Sequence, residues 1–193
     1  MEEITFLLRV ILGTIFCSAG YHKLRNFEEH ILIIEDYKLL PKSWVKKAGS
    51  IEIILELISG GLLLIGVYQN IASFIVSGLL LTFCVAISVN LLRGRNEISC
   101  GCGGVVGNHQ LSWNMVRRNI VLLLSCIWLF NHNNHIGSLE ALLTGFPLKE
   151  VYGYRFSLLV LNSIGLFLIG MLIQKLNMIQ SRTKELLIQD KRR

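Results

Sequence analysis

The sequence predicts an all-α, polytopic membrane protein, a bundle of about four or five transmembrane helices. Three observations predict it. Of 193 residues, 52% are hydrophobic and 17% charged, and the mean hydropathy is +0.55, whereas soluble domains carry about a quarter charged residues. The apolar residues fall in runs near the ~20 that one helix needs to cross a bilayer core. Lys and Arg gather between those runs and in the C-terminal tail. The formal charge of +6 is therefore a property of membrane-flanking loops rather than of a nucleic-acid surface.

The first span, residues 4–21 (ITFLLRVILGTIFCSAGY), holds one charge, Arg9. Glu2 and Glu3 precede it where a signal peptide would be basic, and no small-residue cleavage site follows, so it is expected to be a retained helix. Residues 22–47 are polar, with Lys23, Arg25, Lys38, Lys42, Lys46 and Lys47. Within them, FEEHILIIEDYKLLP alternates apolar and charged residues, as a short amphipathic helix at the membrane interface does, and Pro41 is expected to stop it. The second span, residues 48–67, contains Glu52 and Glu56. A tight turn at Tyr68-Gln69-Asn70 makes it the antiparallel neighbour of the third span, residues 71–92. Residues 93–111 form a glycine-rich loop with Cys100 and Cys102. The fourth span, residues 113–130, has Trp113 as an interfacial anchor and Arg117 and Arg118 in its early turns. Residues 131–154 read as irregular, with His132 and His135 exposed, and a fifth span, residues 156–176, leads into a basic tail. Residues 1–131 thus form a helical membrane unit, and residues 132–193 add a loop, a further helix and a cytoplasmic tail.

With five spans, 16 of the 19 Lys and Arg fall on one side of the membrane. The positive-inside rule then places the N-terminus outside, the C-terminus inside and the cysteine pair on the cytoplasmic side.

Cys100-Gly101-Cys102-Gly103-Gly104 is the sharpest chemical signal. Two cysteines one residue apart close only a small, strained ring, which is readily reduced. The glycines supply the backbone freedom such a ring needs and leave the sulfurs open to a partner. Arg93, Arg95, Arg117 and Arg118 lie near in sequence, and positive charge favours the attacking thiolate. The bland alternative is a glycine-rich turn with inert thiols. A metal site, with His109 joining Cys100 and Cys102, lacks the fourth ligand zinc prefers, and no metal is assigned. Glu52 and Glu56 share a helical face. An ionisable group in hydrocarbon normally meets a partner or a wet cavity, and Arg9, at similar depth, is expected to pair with Glu56. The pair is either structural or proton-handling, and Glu52, nearer the surface, is expected to be solvated. Cys17 reads as packing or as a third, resolving thiol; Cys84 and Cys126 read as packing. Asn119 is expected to be buried and to hydrogen-bond across helices, and Gly60, Gly61 and Gly66 to allow close helix approach.

LLRVILGTIFCSAGYHKL with its AGxxK end, EIILELISGGLLLIG, CGCGG and LSWNMVRRN occur in this order. Over residues 7–130 the chain resembles the DoxX-like superfamily and, within it, the methylamine-utilisation MauE family. The resemblance implies a four-helix membrane bundle and a role in thiol–disulfide chemistry. MauE-like proteins are associated with disulfide formation in exported proteins beside a thioredoxin-like partner, and related DoxX-like proteins with quinone reduction. Carried over by residue, it implies Cys100 and Cys102 as the redox pair and Arg9, Lys23, Glu56, Trp113 and Asn119 as the polar framework. Arg9, Trp113 and Asn119 are then the candidates for holding a quinone. The family often has Phe after the second cysteine, where this chain has Gly103. A role in oxidising exported proteins also wants the pair accessible from outside, opposite to the charge count, unless electrons cross through a central cavity.

The function expected is that of a thiol–disulfide oxidoreductase of the bacterial inner membrane. Cys100 and Cys102 exchange electrons with a thioredoxin-fold or exported thiol protein, Glu56 and Glu52 handle protons, and quinone is the electron acceptor or donor. The rivals are a non-enzymatic maturation scaffold, and a small-solute or metal transporter built on Arg9, Glu52 and Glu56.

Overall fold

The computed structural model describes residues 2–95, 97–101, 111–132, 136–165, 168, 169 and 172. Regular structure among them is helical, with no β-strand: α1 (Glu2–Arg25), α2 (Phe27–Asp36), α3 (Lys42–Ile65), α4 (Gln69–Leu92), α5 (Trp113–Asn131), α6 (Leu139–Leu143) and α7 (Leu148–Val151). Residues 154–165 are also largely helical. They cover the start of the expected fifth span; most of its remainder, with the basic tail and His135, lies outside the described residues.

α1, α3 and α4 have 24 residues each, about 36 Å at 1.5 Å per residue, and are long and apolar enough to cross a membrane. Their outer faces are apolar: Ile54 and Ile58 of α3 and Phe74 and Leu81 of α4 are each more than half exposed. Such a belt is unfavourable in water and matched to lipid. The chain is thus a multi-pass membrane protein. α5 completes a four-helix bundle, running antiparallel to α4. Gln69, at the start of α4, donates from Nε2 to the carbonyls of Leu129 (2.8 Å) and His132 (3.0 Å) at the end of α5. Carbonyls there have no onward partner inside the helix. The core between the helices is built from Leu12, Phe16, Leu63, Val76, Leu80 and Leu129.

α1 and α3 cross antiparallel on a stripe of small residues. A Cβ on Gly60 would stand 2.8 Å from both the backbone nitrogen and the Sγ of Cys17, and one on Gly13 would stand 3.0 Å from the Gly60 carbonyl oxygen. Gly20 meets Leu57 in the same way. Cys17 is therefore part of the helix crossing. Of the three glycines expected to permit close approach, Gly60 does so backbone to backbone and Gly66 makes room for the Arg9 guanidinium of α1, 2.7 Å from where its Cβ would stand. Gly61 faces open space among the described residues, and Gly66 ends α3 in a left-handed turn at φ 73°.

This register overturns the expected Arg9–Glu56 pair. Gly13 lies opposite Gly60 and Leu64, and Gly20 opposite Leu57 and Glu56. Arg9 is therefore at the Gly66 end, about 21 Å along the helix from Lys23. Its Nη2 donates to the carbonyls of Ile136 (3.2 Å) and Gly137 (2.8 Å), and its guanidinium lies over Phe6. Ser138 donates to the Gly66 carbonyl (2.6 Å), and the Tyr68 N–H donates to Glu140 (2.8 Å). The stretch expected to be irregular is thus pinned to the α3–α4 turn and contains α6 and α7. Hydrogen bonds to charged groups contribute about 1.5–3 kcal/mol each. Arg9→Met, which removes two of them, is expected to destabilise this end by about 3–6 kcal/mol. Limited proteolysis in detergent will show it as faster cleavage between residues 132 and 147, with cysteine chemistry at the other end unchanged.

Three boundaries also differ. α2 ends at Asp36, before Lys38 with its positive φ, and Pro41 is instead the N-cap of α3. The fixed φ of proline suits a helix start better than it is needed for a stop. The α3–α4 turn is Gly66-Val67-Tyr68, with left-handed residues at Gly66 and Tyr68, while Gln69 and Asn70 already belong to α4. His132 is half-buried and stacks on Trp128 at 4.2 Å, rather than standing exposed.

A charged cluster and a lipid-side cavity beside Cys100

The end of the bundle opposite Arg9 carries Cys100. The small-residue stripe of α1 continues one turn past Gly20 to Lys23, delivering its side chain onto α3. Glu52 and Glu56, one turn apart, grip it from both sides: Lys23 Nζ lies 2.6 Å from Glu52 Oε1 and 2.6 Å from Glu56 Oε1. The Phe83 ring of α4 lies beneath the ammonium, 4.8 Å to its centroid. Lys23 is 4% exposed and Glu56 1%, so the ion pairs are within the protein. Glu52, expected to be solvated, is instead held by Lys23 and, at 3.5 Å, by Nε2 of His30. The reason is α2, which crosses the N-terminal part of α3 at Gly49, where a Cβ would meet Ile31 and Ile34. That crossing drives His30 under the surface and covers Glu52.

α2 also holds the cysteine loop. The Tyr37 hydroxyl donates to the Cys100 carbonyl at 3.1 Å. Burial, and secondarily the Glu52 charge, push the Tyr37 phenol well above its ordinary range, so it remains a donor at any physiological pH. Gly101 has φ 68°, and a Cβ there would stand 3.1 Å from Ile33 Cγ2. The glycine between the cysteines thus meets both a left-handed backbone and a close approach to α2. Cys100 is disulfide-bonded, and Cys17, Cys84 and Cys126 are free thiols. Cys102 lies outside the described residues.

Cys100 is only 8% exposed, yet it lines a cavity of about 640 Å³ between α2, α3 and α4. One end of the cavity is polar, formed by Lys23, His30, Tyr37 and Glu52, and the rest is apolar, with Ile34, Leu55 and Leu79 among its walls. Ile51, Leu81 and Val85 line it while being more than half exposed, so it opens on the lipid-facing side of the bundle. Its volume is that of small-molecule sites, about 300–1,000 Å³. On the other side of Lys23 is a smaller chamber of about 40 Å³, lined by Glu56, Arg118, Asn119 and Phe83. Glu56 Oε2 and Asn119 Nδ2 are buried there without a hydrogen-bond partner among the described residues. The chamber is large and polar enough to hold water.

Lys23, Glu52, Glu56 and Cys100 are therefore brought to one place. Of the expected quinone contacts, Arg9 is at the far end, Trp113 is 55% exposed at the start of α5, and Asn119, expected to hydrogen-bond across helices, faces the small chamber, its amide nitrogen without a partner among the described residues. None of the three lines the large cavity. His30, Tyr37 and Phe83 escaped the sequence reading. One signal was present: Lys23, His30 and Tyr37 are seven apart, which places them on one face across α1 and α2.

The sequence family model described as "Methylamine utilisation protein MauE" matches residues 1–131. The chain belongs to the MauE family. Among its relatives is the methylamine utilization protein MauE of Paracoccus denitrificans, 30% identical over 62% of this chain and 64% of that protein. That of Paracoccus versutus is 34% identical over the same shares, and that of Methylorubrum extorquens 32% identical over 65% and 68%. The match thus spans under two thirds of the Paracoccus proteins' length. No solved structure shows significant similarity to the chain. The matched region of this MauE-family chain contains α1 to α5, and so the whole Lys23–Glu52–Glu56–His30 cluster and the cavity lining.

Proposed function

We propose that this MauE-family protein is a thiol–disulfide oxidoreductase of the bacterial cytoplasmic membrane, serving methylamine utilisation as its relatives' names indicate. Cys100 and Cys102 cycle between disulfide and dithiol, exchanging electrons with a thioredoxin-fold or exported thiol protein through a mixed disulfide. The observation that carries this reading is the placement of Cys100: it lines a lipid-side cavity whose polar end is a buried acid–base cluster. A structural cross-link needs neither the cavity nor the cluster.

The cavity fits a quinone by the chemistry of its walls. Lys23 and His30 are the donors for a ring carbonyl, and the apolar walls suit an isoprenoid tail. When bound, a quinone supplies two-electron, two-proton acceptor chemistry. The chain's own residues orient the cysteine loop (Tyr37, Gly101), hold charge beside it (Lys23, Glu52) and hold a proton deeper in the bundle (Glu56). The alternative of a scaffold without redox chemistry makes a different prediction. In cells carrying Cys100→Ser or Cys102→Ser, one single variant is expected to accumulate a covalent adduct with its partner protein, and the double variant is expected to lose function. Full function in the double variant, with no adduct in either single one, would establish the scaffold instead.

A further inference from the structure

We propose that His30 is the acid–base residue of the thiol–disulfide step, exchanging protons with the cysteine pair on one side and with Glu52 on the other. The proposal rests on the oxidoreductase reading above and adds a residue that reading does not require. His30 is 5% exposed. Its Nε2 makes a 3.5 Å ionic contact with Glu52 Oε1, and both Nε2 and Nδ1 are buried with no hydrogen-bond partner among the described residues. A Cβ built on Gly101 would stand 3.7 Å from Nδ1, so the open nitrogen faces the residue next to Cys100. His30 lines the large cavity together with Cys100 and Gly101, and a second, smaller cleft together with Lys23 and Gly101. A histidine serving only to pack α2 on α3 would not place a bare ring nitrogen against the cysteine loop, because a buried unmade hydrogen bond is unfavourable.

Imidazole is the side chain that both takes up and releases a proton near neutral pH. When a partner dithiol reduces the disulfide at Cys100, a partner thiolate attacks one sulfur and the S–S bond breaks. The electron pair goes to the leaving sulfur, which takes the proton of the His30 imidazolium. The partner's second thiol then attacks the mixed disulfide and releases the other cysteine sulfur. The partner departs as a disulfide and the site is left with two thiols. The two protons given up by the partner's thiols reach the cysteine sulfurs through His30, with Glu52 and Lys23 next in line. The ionisable groups around His30 are Glu52 of α3, Lys23 and His22 of α1, and Glu29 and Tyr37 from the α2 segment; α4 contributes apolar Phe83 and Ile87.

The test is the rate at which dithiothreitol reduces the purified full-length protein, measured across about pH 5 to 8, where imidazole titrates. General acid–base groups contribute about 10²–10⁴-fold, so His30→Gln is expected to slow reduction at neutral pH about 100-fold and to remove the limb of the pH profile due to imidazole. His30→Ala is expected to recover part of the rate on addition of imidazole, which a purely structural histidine would not show. Glu52→Gln, which leaves the ring in place, is expected to displace the limb along the pH axis. An unchanged profile in His30→Gln and Glu52→Gln, without imidazole rescue of His30→Ala, overturns the proposal. A wild-type disulfide inert to dithiothreitol throughout would instead remove the oxidoreductase reading, and this inference with it.

Discussion

Replacing Lys23 with Met is expected to destabilise the bundle by about 3–5 kcal/mol, the range for removing one partner of a buried ion pair. The ammonium is the shared partner of two carboxylates, each at 2.6 Å, in a region almost closed to solvent. Without it, Glu52 and Glu56 stand one helical turn apart with their charges uncompensated, and the second Glu56 oxygen already lacks a hydrogen bond among the described residues. Thermal unfolding in detergent, followed by helicity, reads the effect. The triple variant Lys23→Met, Glu52→Gln, Glu56→Gln is expected to regain most of the loss, because a buried ion cluster is seldom more stable than a neutral one of the same volume. If the single variant melts with the wild type, the cluster is not held as described. The triple variant is also expected to lose electron transfer, since the polar end of the cavity becomes neutral. Stability and activity then separate.

Ala86→Trp is expected to reduce quinone-dependent turnover at least tenfold while leaving dithiothreitol reduction of the cysteine pair intact. Ala86 is on the α4 wall of the cavity. An indole there fills cavity volume from the α4 side and leaves the sequence of the charged cluster and of the cysteine loop unchanged. A tenfold loss corresponds to about 1.4 kcal/mol of transition-state binding, well within what steric exclusion from an apolar site provides. Short-chain ubiquinone as acceptor, with the rate of quinol formation measured on reconstituted protein, makes the comparison. Equal turnover in Ala86→Trp and wild type would place the electron acceptor elsewhere.

The helices were readable because each apolar run is long enough to demand burial or lipid, and the helical bundle follows from four such runs. In the cysteine loop, the need for glycine was readable at Gly101, whose φ of 68° is the backbone freedom the sequence pointed to. Pairing was not readable. Arg9 and Glu56 are the obvious opposite charges in the first two spans, but antiparallel register depends on where Gly13, Gly20 and Gly60 let the backbones touch, and charge alone does not encode that. Lys23 looked like a loop-flanking cation because the span was drawn to end at residue 21. α1 in fact continues to Arg25 and carries Lys23 into the bundle. Glu52 was misjudged and His30 overlooked for one shared reason: α2 lies over α3 rather than apart from it, so both are covered. Asn119 was placed correctly in the interior, but its amide nitrogen meets a polar chamber instead of a neighbouring helix.

The most direct measurement is a redox titration of Cys100 in membranes equilibrated with dithiol–disulfide buffers, with free thiols counted by mass tagging. Structural disulfides have potentials below about −300 mV, and those that exchange lie above it. The account predicts a single two-electron transition above about −300 mV, with Cys100 reduced and reoxidised reversibly. A Cys100 that remains oxidised well below that potential, with the protein folded throughout, would contradict it and leave the disulfide as a structural clasp.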